Sequence, residues 1–281
     1  MIGIVIGTVG AAAAAVCLLS NIFITVRHFN LRSDSLPQGI DELKILHLSD
    51  LHKKKFGKDY EKLLGKIPDQ RFDMVCFTGD LISRTETDIS GKIKLMKKLS
   101  EIAPVYYISG NHESDAPKTY EKLCSELEKC GVNVLRNRTV IFTKNGGKIS
   151  LSGLEAEKAF YKNSDGSYRN LPKMDASYLE KKLGKKPDGF TILLAHSPFP
   201  FESYCKYGAD LALCGHVHGG AVRLPIVKGL LSPERKFFPK YSAGLYASKK
   251  TQMIVSRGLG KLRIFNNSEI AVINVKRGEK L

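Results

Sequence analysis

An α/β fold carried behind an amino-terminal membrane-spanning helix is what this sequence predicts, and three observations carry the prediction. Ile2 to Val26 is a run of 25 positions without a charged side chain. Beyond it, short β-prone runs alternate with stretches of helical spacing, the pattern of α/β chains. Aspartate, histidine and asparagine then recur just after the predicted strands, close to glycine or proline. Length allows one large domain: 281 residues is about two units at ~150 residues each, yet single α/β domains of ~250 residues are common. Apolar residues at 43% and charged residues at 26% exclude a disordered or collagen-like chain. Six cysteines without CxxC spacing exclude a disulfide-stapled mini-domain and argue against a zinc knuckle.

The uncharged run exceeds the roughly 20 residues that cross a bilayer core as a helix. No basic stretch precedes it, and Ala11 to Ala15 only loosely imitates a cleavage site, so an uncleaved anchor over residues 1–30 is expected rather than a signal peptide. Arg27 and Arg32 follow the span, and the positive-inside bias then places the body in the cytoplasm. Residues 31–41, with Ser33, Asp34, Ser35, Pro37 and Gly39, have no apolar periodicity and are expected to be a linker, with a catalytic domain over 42–281. The lack of Trp and a mean hydropathy of −0.16 fit a mostly soluble body.

Within the body, Leu43 to Leu48, Phe72 to Phe77 and Val105 to Ile108 are expected strands, alternating with helices at Tyr60 to Ile67, Ile93 to Leu99 and Tyr120 to Leu127. Short strands at Val132 to Leu135, Thr139 to Phe142 and Ile149 to Ser152 follow, with a turn at Asn145-Gly146-Gly147, and suggest antiparallel pairing. A helix at Ala176 to Leu183, strands at Phe190 to Leu194 and Leu211 to Cys214, and a terminal strand pair at Met253 to Ser256 and Ile270 to Val275 complete the chain. Glu155 to Met174 is polar, lacks periodicity and is expected to be a long loop.

Asp50 and His52 follow the first strand, and residues two apart in extended chain share a side, so both can converge on one cation. Gly79-Asp80 ends the second strand, where a carboxylate with two oxygens can bridge two cations. After the third strand, Asn111 offers a neutral amide oxygen and His112 an imidazole able to move a proton. His196, His216 and His218 add nitrogen donors. Each motif alone is a weak signal, since strand-end aspartates commonly cap turns. Five strand ends together are more telling, because sites of open α/β sheets gather there.

In this order, Asp50-x-His52, Gly79-Asp80, Gly110-Asn111-His112-Glu113, His196 and Gly215-His216-x-His218 resemble the blocks of the calcineurin-like metallophosphoesterase superfamily. Val255-Ser256-Arg257-Gly258-Leu259-Gly260 is similar to its membrane-associated bacterial phosphodiesterase branch. The resemblance implies a four-layer fold, a two-sheet β-sandwich flanked by helices. It implies one metal held by Asp50, His52, Asp80 and His218, and a second held by Asp80, Asn111, His196 and His216. Asp80 is then the bridge, a metal-bridging hydroxide the nucleophile and His112 the general acid, with Asn111 and His112 touching substrate. Two cations about 4 Å apart can clamp a phosphate, and Asp, Asn and His donors without thiolate suit manganese, iron or zinc. Glu113 is expected to orient a ligand rather than bind metal. After Ser152-Gly153, relatives in the branch often carry an acidic pair, whereas this chain has only Glu155.

The net charge of +16, from 44 basic and 28 acidic residues, suits an anionic membrane surface or anionic substrate, and Lys53, Lys54 and Lys55 are expected near the site mouth. The expected activity is two-metal hydrolysis of a phosphodiester or pyrophosphate, lipid-linked or nucleotide-linked, at a membrane surface. A nuclease or nucleotide phosphodiesterase is the alternative, with nucleic acid as partner, although no nucleic-acid module is recognisable. A non-catalytic, anchored metal-binding scaffold is the other.

Overall fold

The computed structural model describes residues 21–220, 223–224, 228–233, 235, 237–261 and 264–278. Two six-stranded sheets stack face to face. The first holds β1 (Ile24–Ser33), β2 (Glu42–Leu48), β3 (Met74–Thr78), β4 (Val105–Ile108) and β5 (Asn133–Val134). The second holds β6 (Arg138–Lys144), β7 (Gly147–Leu154), β8 (Thr191–Ala195) and β9 (Leu211–Cys214). After a small ribbon of β10 (Arg223–Leu224) and β11 (Lys228–Gly229), β12 (Gly244–Ser248) and β13 (Thr251–Val255) complete the second sheet and β14 (Ser268–Arg277) returns to the first. Strand orders are β1-β14-β2-β3-β4-β5 and β12-β13-β9-β8-β7-β6.

Helices α1 (Glu61–Leu64), α2 (Ser90–Ser100), α3 (Asn111–Ser114) and α4 (Pro117–Lys129) lie in the first half, α5 (Ala176–Leu183) and α6 (Phe201–Tyr207) in the second. Their apolar faces explain the layering. Leu95 and Leu99 of α2 and Leu123 and Leu127 of α4 pack with Val75, Phe77 and Tyr107 on the outer face of the first sheet. Leu179 of α5 and Tyr204 of α6 pack with Leu193 and Ala212 on the outer face of the second. Ile45, Met74, Cys76, Ile192, Leu213 and Ile273 fill the space between the sheets. Because β3, β8 and β9 are covered on both faces, every residue in them is buried and they appear in sequence as apolar runs, interrupted only by Thr78 at the end of β3 and Thr191 at the start of β8.

Three expectations need correction. Residues 24–33, divided in the sequence between anchor and linker, form β1, paired parallel with β14 in a ten-residue register from Ile24↔Ser268 to Ser33↔Arg277. Phe29, Leu31 and Ser33 point inward while His28, Asn30 and Arg32 point outward, so the domain begins at β1 and not near Glu42. The alternation was hidden because the uncharged run continues three residues into the strand, to Val26. The expected terminal strand pair is also split, since β13 joins β9 and β14 joins β2. Finally, β5 is parallel to β4 in the first sheet, leaving β6 and β7 as the antiparallel hairpin, turned by Asn145 and Gly146 at φ 49° and 80°. Of the expected anchor over residues 1–30, residues 1–20 lie outside the described residues. Among the described residues no helix is long and apolar enough to cross a membrane.

Candidate metal centre

The carboxyl ends of β2, β3 and β4 in one sheet and of β8 and β9 in the other meet at one edge of the sandwich. Every sequence-predicted site residue is there. Asp80 Oδ2 lies between two imidazoles, 3.7 Å from His52 Nε2 and 3.3 Å from His196 Nε2. Asp50 Oδ1 is 3.9 Å from both His196 Nε2 and His218 Nε2. His52 Nε2 faces His218 Nε2 at 3.4 Å, and His196 Nε2 faces Asn111 Oδ1 and His216 Nδ1 at 3.2 Å each. Asp50, His52 and His218 form one group of potential ligand atoms lying within 4.8 Å of one another, and Asp50, Asp80 and His196 form another.

Backbone conformation aims these side chains. Asp50, His52, Asp80, His216 and His218 all have φ between 50° and 69°, the left-handed region that non-glycine residues seldom occupy. Such strain persists only where surroundings over-determine it, and it gathers at functional sites. Gly79, at φ 86°, makes the turn before Asp80, and a Cβ there would come within 2.6 Å of the Gly110 nitrogen and 2.8 Å of His196 Nδ1. Gly258 has the same role behind Asp50: a Cβ would meet the Asp50 carboxylate at 2.6 Å. The carboxy-terminal motif thus abuts the first ligand.

Glu113 is fully buried and holds two of the turns together. Its carboxylate accepts from the backbone N–H groups of Asp80 (2.9 Å), Gly110 (2.8 Å) and Ile82 (3.0 Å). Burial, reinforced by the neighbouring Asp80 charge, pushes its pKa up to about 7 against the pull of those donors. It orients the cluster rather than joining it.

The donor chemistry fits cations. His196 Nδ1 is 2.7 Å from the Thr78 carbonyl, which can only accept, so that nitrogen carries the proton and Nε2 presents a lone pair toward Asn111 Oδ1 and Asp80 Oδ2. Acceptors facing acceptors at this distance call for positive charge between them. Without metal a second proton on His196 supplies it. Burial pulls its pKa down most strongly, but Asp80, with Asp50 behind it, outweighs burial and raises it to about 10. His52, by contrast, is driven down to about 3 by burial and offers a neutral imidazole.

His112 packs its ring 4.4 Å from that of His52, and its backbone N–H donates to Asp80 Oδ1 at 2.8 Å. Sequence reasoning passed over its neighbour Arg84, whose guanidinium is 3.0 Å from His112 Nε2 and pairs with Asp115 at 3.3 Å. Lys158 reaches the same Asp115 at 2.5 Å. Both cations line the pocket over Asp80, Asn111 and His112, together with Tyr161, Lys162 and Tyr168. Lys158 and these last three come from the 155–174 segment, which is a loop broken only by a short turn at Lys158–Phe160. Nothing local in sequence tied that loop to the strand ends.

One further expectation changes. Lys54 is not at the mouth: it is 4% exposed and donates to Ser268 Oγ at 2.7 Å, which leaves Lys53 and Lys55 as the more accessible members of that run. Glu155 is tied to the Tyr120 hydroxyl and lies 3.9 Å from Arg136, and it is not among the ligand groups.

Comparison with known proteins supplies the family. A family model for calcineurin-like phosphoesterases matches residues 43–220. The metallophosphoesterase YkuE of Bacillus subtilis is 28% identical over 263 residues, covering 90% of this chain and 85% of the relative. The phosphodiesterase YaeI of Escherichia coli is 28% identical over 229 residues, covering 78% and 76%. UDP-2,3-diacylglucosamine pyrophosphatase LpxG of Chlamydia muridarum is 23% identical over 290 residues, covering 82% and 83%. Among solved structures, TT1561 of Thermus thermophilus shares the fold at a TM-score of 0.51 and 16% identity, over 77% of this chain and 90% of that one. The matched region runs from β2 to the glycines after His218 and so contains every strand end that feeds the cluster; this hydrolase belongs to the calcineurin-like phosphoesterase family.

Proposed function

We propose that the chain hydrolyses a phosphodiester or pyrophosphate bond at a dinuclear metal centre, on a substrate presented at a membrane surface to which an amino-terminal segment anchors it. The observation that carries the reading is Asp80 Oδ2 set between His52 and His196, with Asp50, Asn111, His216 and His218 closing the two sides. That donor set suits manganese, iron or zinc, and such ions when bound supply Lewis-acid clamping of a phosphate and activation of water. The chain's own residues do the rest. Arg84 and Lys158, with Asp115 between them, put two cations over the pocket to draw in and orient phosphate oxygens. The Arg84 guanidinium, which donates to His112 Nε2, and the Asp80-bound backbone fix the His112 ring at the site; when that guanidinium turns to a substrate phosphate oxygen, Nε2 is freed to take up the proton it gives to the departing oxygen. The names of YaeI and LpxG, a phosphodiesterase and a pyrophosphatase, support the choice of bond.

Support for surface attachment lies where the chain enters the fold. Ile22 and Phe23 are 67% and 54% exposed, and Phe265, three residues before the Ser268 that pairs with Ile24, is 56% exposed. Three exposed apolar side chains therefore stand at the amino-terminal end of β1 and just before its partner strand β14, a surface suited to apolar contact.

Hydrolysis of a bis-aryl and a mono-aryl phosphate with manganese, iron or zinc tests the reading on wild type, Asp80→Asn and His112→Ala. Wild type is expected to prefer the diester, with Asp80→Asn losing at least roughly a thousandfold and His112→Ala roughly a hundredfold or more in kcat. Metal binding without turnover on either ester would overturn the enzymatic reading in favour of a scaffold.

A further inference from the structure

A second, larger space adjoins the metal centre. A cleft of about 1140 Å³ runs beside His196, walled by the 155–174 loop and by the chain that enters α6. It shares Tyr161 and Tyr168 with the pocket over Asp80 and His112. Tyr161 is the partition: its ring centre lies 5.3 Å from that of His216 and 6.0 Å from that of His196. Phe199 faces His216 from the cleft side at 6.1 Å.

Depth and rim differ in chemistry. The buried floor includes Leu154, Met174, Ala195 and Tyr204, all members of the hydrophobic cluster under the second sheet's helices. Polar atoms at that depth are already used within the protein. Ser203 Oγ donates to the Met174 carbonyl at 2.6 Å, and Tyr204 Oη donates to the Ser197 carbonyl at 2.7 Å. The charged lining residues, Arg169, Lys173, Glu202 and Arg235, are all exposed at the rim, three cations against one anion. Above that sealed floor, the half-buried side chains of Phe160, Leu171, Phe199 and Pro200 present apolar surface that a ligand's hydrocarbon part can cover.

We propose that this cleft holds the hydrocarbon substituent of an amphiphilic phosphodiester whose phosphate sits over Asn111 and His112; this rests on the phosphoester-hydrolase reading above. A nucleoside or sugar pressed against these apolar side chains would surrender hydrogen bonds to water that they cannot replace, a net penalty. An alkyl chain surrenders none and gains transfer free energy. The cationic rim suits the anionic end of such a molecule. Tyr161 and Phe199 then separate the wet metal centre from the apolar slot, and the 155–174 loop supplies one wall of that slot.

The test is a series of p-nitrophenyl alkyl phosphodiesters, methyl through dodecyl, with the metal-loaded full chain in detergent. A p-nitrophenyl nucleoside diester serves as the polar comparison. In wild type, kcat/KM is expected to rise by up to roughly fourfold per added methylene over the first several carbons, mostly through KM, and then to level off as the chain outgrows the cleft. Met174→Asp and Phe199→Asp, on different segments, are each expected to lower the octyl-to-methyl ratio at least roughly tenfold. Partition of substrate into detergent affects wild type and variants alike, so the change in this ratio is the readout. Hydrolysis of every ester with no dependence on chain length, or a preference for the nucleoside ester, overturns the cleft assignment and leaves the hydrolase reading standing. Failure to hydrolyse any member overturns the hydrolase reading and this proposal with it.

Discussion

Deletion of β1 separates two accounts of how the amino-terminal part of the molecule is built. If residues 24–33 were a linker, a chain starting at Asp34 would fold as well as one starting at Asn21. The structure says otherwise. Phe29 and Leu31 are 7% and 3% exposed and belong to the cluster between the sheets. Burying two such side chains is worth roughly 1.5–3 kcal/mol each, so about 3–6 kcal/mol disappears with them. Arg27 also leaves, and its 3.2 Å ion pair with the fully buried Glu269 goes with it, so that among the described residues Glu269 keeps its ion pair with Arg257. Against a total stability of about 5–15 kcal/mol, the hydrophobic loss alone is a large fraction. At roughly 2–4 °C per kcal/mol for a domain of this size, a 34–281 chain should melt about 6–24 °C below a 21–281 chain, or fail to fold. The newly exposed β14 edge should also make it aggregate. Thermal unfolding followed by circular dichroism and sedimentation would check both effects. Midpoints within about 2 °C of each other, with both chains monodisperse to the same degree, would refute the reasoning.

Two other outcomes are expected. His47 is fully buried 2.8 Å from Thr78 Oγ1, and burial lowers its pKa to about 3. The unfolded chain therefore binds the extra proton between about pH 6.5 and 3, and stability present above that window is lost as pH falls through it, at up to about 1.4 kcal/mol per pH unit. Urea midpoints measured between about pH 7 and 5 with chelator present should show a shallower acid slope in His47→Gln, and equal slopes would contradict the assignment. On topology, Cys130 and Cys205 are the partly exposed free thiols among the described residues, whereas Cys124 is buried. A membrane-impermeant maleimide should leave both unlabelled in intact cells and label them after lysis if the domain faces the cytoplasm; labelling in intact cells would place it outside.

What was legible in sequence follows from what is local. A buried parallel strand needs an apolar run, so Met74–Thr78 and Leu211–Cys214 announce themselves. A ligand at a strand end needs a turn that carries it, so Gly79-Asp80, Gly110-Asn111-His112 and Gly215-His216-Val217-His218 stand as short blocks readable without a partner. Strand β1 was obscured by continuity of composition rather than by weak patterning, because Ile24–Val26 extends an uncharged segment into an alternating one.

By itself, then, the sequence determined the α/β alternation, the identity of the residues at five strand ends and the kind of cation they suit, because periodicity and donor chemistry are properties of neighbouring residues. Only the tertiary structure decided that β14 lies between β1 and β2, that Gly258 backs Asp50, that Lys54 is buried, and that the 155–174 loop brings Tyr161 beside His196 and His216. Each of those contacts joins segments far apart in the chain. The pairing is set by which faces the two stacked sheets must cover, and no local pattern records the partner.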